Sequence, residues 1–268
     1  MRSRLARVGV VCASVLALSA CGRAASPQAT SATVAVPTTT VQVTPQANTV
    51  ASAGAVDPDP RVGAVFLGGD SWHTCSAAVL DTPGGDLILT AAHCLTDGVD
   101  TTFVPGFHDD ADNPWHVRAV YLDPRWLTDQ DPQADFAIAR VSRDDGVTVQ
   151  SDAGGGLLLG AAPPAGTAVT VTGYPMGEGG GPLGCRGVTG TEQGFPSLPC
   201  AGLTNGFSGA PWTVGSTVTG LVGGLDGGGC DDDVSFSPRF DTGIAAVLAR
   251  AEAGGDGDAA PAAFGDDC

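Results

Sequence analysis

Leu203-Thr204-Asn205-Gly206-Phe207-Ser208-Gly209-Ala210-Pro211 sets one serine among small residues, just ahead of a run, Trp212 to Val222, that reads as strand. Gly206 and Gly209 allow a tight turn and close approach by another molecule. Such a turn exposes a hydroxyl and can aim two backbone N–H groups at one point, as a serine nucleophile with an oxyanion hole requires. Alone, Gly-Xaa-Ser-Gly is equally an ordinary surface turn. Its meaning depends on whether other stretches supply a base and an orienting acid.

Two stretches do. Thr90-Ala91-Ala92-His93-Cys94 puts a histidine at the end of an apolar strand, Asp86 to Thr90, next to a cysteine. Asp135-Phe136-Ala137-Ile138-Ala139-Arg140-Val141 opens an alternating apolar strand on an aspartate, with Asp129 and Asp131 nearby as competitors for its role. Serine at its free pKa is a weak nucleophile, so a histidine must take its proton. A carboxylate then holds the histidine tautomer and stabilises the imidazolium. The order His93, Asp135, Ser208 discriminates among folds. An α/β-hydrolase runs serine, acid, histidine, but all four histidines (73, 93, 108 and 116) precede Ser208. A subtilisin order needs its aspartate before the histidine, and Asp70, Asp81 and Asp86 have no persuasive setting for that.

These three stretches resemble the trypsin-like (chymotrypsin-fold) serine endopeptidases, in particular a compact bacterial branch that includes glutamyl endopeptidases. The histidine stretch matches their motif residue for residue, and Gly206 to Pro211 is similar to their Gly-Asp-Ser-Gly-Gly-Pro. The resemblance covers about residues 60–252. It implies an all-β fold of two six-stranded antiparallel β-barrels with a C-terminal helix. It implies His93 as general base, Asp135 as its partner and Ser208 as nucleophile, with Gly206 and Ser208 N–H as the oxyanion hole. It also implies a substrate cleft walled by Gly202 and Leu203 on one side and by Val222, Gly223 and Gly224 on the other, the latter pairing with the substrate backbone as an added strand. Gly202 at the pocket base carries no carboxylate, and Val222 stands about where glutamyl endopeptidases have a histidine. A small or apolar side chain is the expected preference. Phe207 replaces the motif's aspartate and Ala210 one of its glycines. The loop must then be held by packing and by a neighbouring disulfide. The reading is an extracellular serine endopeptidase acting through an acyl-enzyme. The rival is a catalytically inactive homologue serving as a cell-surface binding module.

Composition agrees with a turn-rich β protein. Of 268 residues, 40 are glycine and 19 proline, and only 15% are charged. The net charge of −17 repels phosphates and anionic lipid surfaces, so no nucleic-acid role is expected. Protein or peptide substrate is the expected partner, and the chain is expected to be a monomer without cofactor or metal. No His-Glu-Xaa-Xaa-His or Cys-Xaa-Xaa-Cys run suggests zinc. Asp109-Asp110-Ala111-Asp112 and Asp231-Asp232-Asp233 lack an EF-hand pattern and read as solvated acidic loops.

The N-terminus reads as an export signal over 1–20. Arg2, Arg4 and Arg7 precede an apolar core from Val8 to Ala17, too short to span a membrane as a stable helix. Leu18-Ser19-Ala20-Cys21 resembles the lipobox of bacterial lipoproteins, which implies lipidation of Cys21 and a surface-anchored protein; plain secretion is the alternative. Residues 21–56, rich in Ala, Ser, Thr and Pro, are expected to be a disordered tether. The protease domain is then 57–268, its halves divided near 143–166, and any membrane contact is through the lipid alone.

Beyond Cys12 in the export signal and Cys21, six cysteines, 75, 94, 185, 200, 230 and 268, allow 15 connectivities. The resemblance implies Cys75–Cys94, a link that in the chain-entropy account contributes about 3 kcal/mol. Cys185 and Cys200 flank a segment that can fold back, which leaves Cys230 with Cys268. The strands expected are 62–67, 75–80, 86–90, 99–105, 116–122 and 135–141, then 168–173, 184–193, 210–214 and 217–222. Asp241 to Ala253 is the one expected helix, followed by a loose acidic tail.

Overall fold

The computed structural model describes residues 50–109 and 113–262. The export signal, Cys21, most of the tether, Asp110 to Asp112 and Cys268 lie outside the described residues.

The first half is a closed barrel. Val62–Leu67 (β1), Trp72–Val79 (β2), Leu87–Thr90 (β3), Thr101–Pro105 (β4), Trp115–Leu122 (β5) and Ala137–Ser142 (β6) pair in the order β2-β1-β4-β5-β6-β3. All neighbours are antiparallel, and β3 pairs back to β2 through Ala78 with Leu89 and Val79 with Ile88. Closure removes the sheet edges. Period-two alternation sends Val65, Leu89, Phe103, Tyr121 and Ile138 into one core.

The second half arranges six strands in two arcs. Ala168–Gly173 (β7), Leu183–Val188 (β8), Pro211–Val214 (β10) and Thr217–Leu221 (β11) run in the order β8-β7-β10-β11; Phe195–Ala201 (β9) pairs with Val234–Phe236 (β12). The Cys185–Cys200 disulfide ties β8 to β9. At the other junction Gly223 N donates to Phe236 O at 3.1 Å and Leu221 N to Ser237 Oγ at 3.0 Å. Val171, Leu198, Phe207 and Trp212 share the core between the arcs.

The helices lie outside the first barrel and the two arcs of the second half, which is not closed into the second barrel expected from the resemblance. Pro124–Asp129 (α1) lies between β5 and β6, outside the one expected helix. Asp123 caps it by accepting from Arg125 N, and proline fits the first helical position because that N–H has no intrahelical partner. Val149–Asp152 (α2) sits in the connection between the halves. Thr242–Ala253 (α3) is the expected helix, with Asp241 as its N-cap at 2.7 Å from Gly243 N. It buries Ile244, Val247 and Ala251, one face at helical spacing.

Both flanks of the domain depart from expectation. Ala51–Ser52 runs parallel to β9, and Gly54–Ala55 pairs with β8. Residues 51–55, expected within the tether, are therefore paired, and Ala51 and Ala53 pack against the second core. Beyond α3, residues 254–262 are not a loose tail. Asp258 N donates to Val120 O at 2.7 Å, and the Asp258 carboxylate accepts from Leu122 N and pairs with Arg250. The segment lies along β5, and Ala260 is buried.

Candidate active site

His93 lies on the single turn Ala92–Cys94 that follows β3. Its Nδ1 is 2.7 Å from Asp135 Oδ2, and its backbone N–H donates to Asp135 Oδ1 at 3.0 Å. Gly224 N–H donates to Asp135 Oδ2 at 2.8 Å. Asp135 is 1% exposed. Burial alone would push its carboxyl up, but the His93 ring and the two N–H donors outweigh that and hold it below the ordinary Asp value. The choice among nearby aspartates is thereby made. Asp131 caps the Pro132–Ala134 turn instead, and Asp129 ends α1.

Ser208 is drawn to the same place through β2. Ser76 N donates to Ser208 O at 2.8 Å, and Cys94 Sγ lies 3.7 Å from that oxygen. Cys75, next to Ser76, is disulfide-bonded to Cys94, next to His93. A ring nitrogen of His93 lies within 4.8 Å of both sulfurs, which are bonded to each other and so hold no metal. Gly209 leaves no room for a side chain: a Cβ there would overlap Ser76 O, Thr90 Oγ1 and Ala91 N.

The loop before Ser208 has a specific polarity. Asn205 O accepts from Met176 N at 2.7 Å, Gly206 O from Ser76 Oγ at 2.9 Å and Phe207 O from Ala210 N at 2.7 Å. With Ser208 O, four successive carbonyls point inward to donors. The N–H groups of Gly206 and Ser208 have no acceptor among the described residues. Gly206 holds φ at +96°, where only glycine is unstrained. Phe207 is fully buried with Val171 and Trp212, so packing holds the loop as expected. Burying such a ring contributes roughly 1.5–3 kcal/mol, whereas an aspartate there would lose that and need a partner. Ala210 is buried against Gly173.

Ser208 opens onto a cleft of about 630 Å³. Leu203 and Val222 line it, with the half-exposed Trp72 and Met176 and the acidic Asp226, Asp231 and Asp232. Three expected lining residues have other positions. Gly202 is not part of the cleft; its N–H donates to Asp232 O, and it faces Ala53. Gly223 N–H is used by Phe236 O, and Gly224 N–H by Asp135. Neither amide is open to a substrate strand, because one joins this segment to β12 and the other cradles the acid. The other histidines stand apart. His73 is buried among Phe66, Phe107 and Tyr174, its Nε2–H donating to Gly179 O at 3.0 Å; His108 is exposed, and His116 sits 3.7 Å from Asp100. The sequence reading missed Ser76, whose only signal is its place beside Cys75.

Comparison with known proteins agrees with this architecture. The crystal structure of protease Anisep from Arthrobacter nicotinovorans superimposes with a TM-score of 0.65 at 22% identity, covering 74% of this chain and 98% of that one. A thermostable serine protease, AL20, from an extremophilic microorganism gives 0.64 at 23% identity, covering 74% and 99%. A Glu endopeptidase gives 0.59 at 15%, covering 74% and 93%. At these identities the likeness is one of fold. No curated protein sequence matches significantly. The trypsin-like peptidase domain profile matches residues 75–221, more than half of the chain, from β2 to β11. On that match the chain belongs to the trypsin-like peptidase family and is a serine-type peptidase, a hydrolase.

Proposed function

We propose that this protein is an exported serine endopeptidase that cleaves peptide bonds through a Ser208-linked acyl-enzyme. Ser208 Oγ attacks the scissile carbonyl carbon as His93 takes the hydroxyl proton. Asp135 keeps Nδ1 of His93 protonated and so leaves the other ring nitrogen to act as base. The Gly206 and Ser208 amides receive the oxyanion. Collapse of the tetrahedral species breaks the C–N bond, and His93 returns the proton to the leaving amine. Water, deprotonated by His93, then attacks the ester carbonyl and releases the acid product and Ser208. Export fits the two disulfides, which persist in oxidising compartments. The protein is held outside the cell by a lipid on Cys21 or is released.

The observation that carries this reading is the His93–Asp135 pair set beside a serine whose own N–H, like that of Gly206, has no acceptor among the described residues. Mixing the oxidised protein with an excess of a p-nitrophenyl ester tests it. The expected result is a burst of one nitrophenol per chain followed by slower turnover, with the acyl mass found on the peptide containing Ser208. Linear release from the first turnover with no acylated Ser208 would contradict it.

A further inference from the structure

We infer that Ser76 is a positioning residue for the oxyanion loop, its hydroxyl holding the Gly206 carbonyl so that the neighbouring amides face the reacting carbonyl. The inference rests on the protease reading above. Ser76 is fully buried in β2. Its hydroxyl donates to Gly206 O at 2.9 Å and accepts from Tyr174 N at 2.9 Å. Its own N–H donates to Ser208 O at 2.8 Å, and its own carbonyl accepts from Thr90 Oγ1 at 2.8 Å.

One residue thus fixes the peptide planes on both sides of the plane that carries the Ser208 N–H. It also links them to Thr90, at the end of the strand leading to His93. Of the four inward-facing carbonyls, those of Asn205, Phe207 and Ser208 are held by backbone N–H groups, which any residue supplies. Gly206 O alone is held by a side chain. Removing that hydroxyl leaves Gly206 O and Tyr174 N buried without a partner, and each costs free energy until the loop moves to satisfy it. The readiest movement is rotation of the Gly206 carbonyl, which carries the adjoining amides with it. Gly206 is a glycine, so little in its own backbone resists. A displacement of about 1 Å in such donors is enough to cost on the order of 10²-fold in rate.

The test compares wild type, Ser76→Ala and Ser76→Thr, with rates normalised to folded protein. Ser76→Ala is expected to lower kcat about 10- to 100-fold with KM within about twofold. It is expected to weaken a peptide trifluoromethyl ketone, whose adduct carries an oxyanion, in proportion to kcat. A product peptide, which carries none, is expected to bind as to wild type. Ser76→Thr keeps the hydroxyl and is expected to restore kcat to within about threefold. Unchanged kcat in the alanine variant, or a threonine variant as slow as alanine, overturns the assignment while leaving the protease reading intact. Loss of folding in the alanine variant and in Ser76→Gly also overturns it, since the hydroxyl would then hold the barrel rather than the loop. A wild-type protein that hydrolyses nothing removes the reading beneath it.

Discussion

Asp135→Asn is expected to lower kcat on a peptide substrate by about 10⁴-fold, with a much smaller change in KM. All the donors around this carboxylate are N–H groups: the His93 ring, the His93 amide and the Gly224 amide. An asparagine must turn its NH₂ toward one of them. The conflict is relieved by rotating the imidazole or by reversing its tautomer, and either change removes the base from Ser208. The wild-type pH profile should carry the same signature. Asp135 is held below its ordinary value of 3.8, so it stays ionised throughout the range in which an imidazole titrates. Activity should therefore fall with a one-proton slope as pH drops. The sign for stability follows from the same depression. The contribution of Asp135 is complete above the ordinary value and is lost only as pH falls through the lower folded-state value. A loss in kcat of less than about tenfold in Asp135→Asn, or a two-proton acid limb, would contradict this account of the pair.

Gly206→Ala is expected to lower kcat by about 10²–10³-fold, the usual consequence of losing one oxyanion donor. The cause is local and steric. A Cβ at 206 would overlap Met176 N and Tyr174 O, and the φ of +96° is strained for any side chain. The loop can accept the methyl only by withdrawing from the Tyr174–Met176 segment, which breaks the Met176 N to Asn205 O bond. The rate of fluorophosphonate labelling should fall with kcat, because that reaction also develops charge on an oxygen at this position. Near-ultraviolet circular dichroism would verify that Phe207 and Trp212 remain packed. A kcat within about threefold of wild type would show that the loop amides are not the stabilising donors.

How far the molecule was legible in its sequence depended on whether a signal was local. Ala168–Gly173 lies where alternation puts it, because a half-buried strand displays its period directly, and Val62–Leu67 is a short apolar run bounded by the Gly68-Gly69 turn. The His93 and Ser208 stretches were legible because each needs a compact run of fixed residue types. Phe195–Ala201 was not read as a strand, since Pro196 and Pro199 argue against one; yet it pairs with both Gly190–Glu192 and β12. The Ala51–Ala55 strands and the 254–262 segment were invisible for another reason. They are poor in apolar periodicity and are ordered by distant partners, β8, β9 and β5. Gly223 and Gly224 are substrate-binding residues only by what the family resemblance implies. The hydrogen bonds their N–H groups make, to Phe236 O and to Asp135, depend on long-range contacts that no local pattern carries. Ser76 is the same case at its sharpest, a single serine in an apolar strand whose importance lies wholly in what meets it across the fold.

The most direct test of the central claim is labelling of the purified, oxidised protein with a fluorophosphonate probe, beside Ser208→Ala and His93→Ala. The account predicts stoichiometric labelling of wild type at Ser208 and none in either variant. A folded, disulfide-intact wild type that does not label, or labelling that persists in Ser208→Ala, would contradict it.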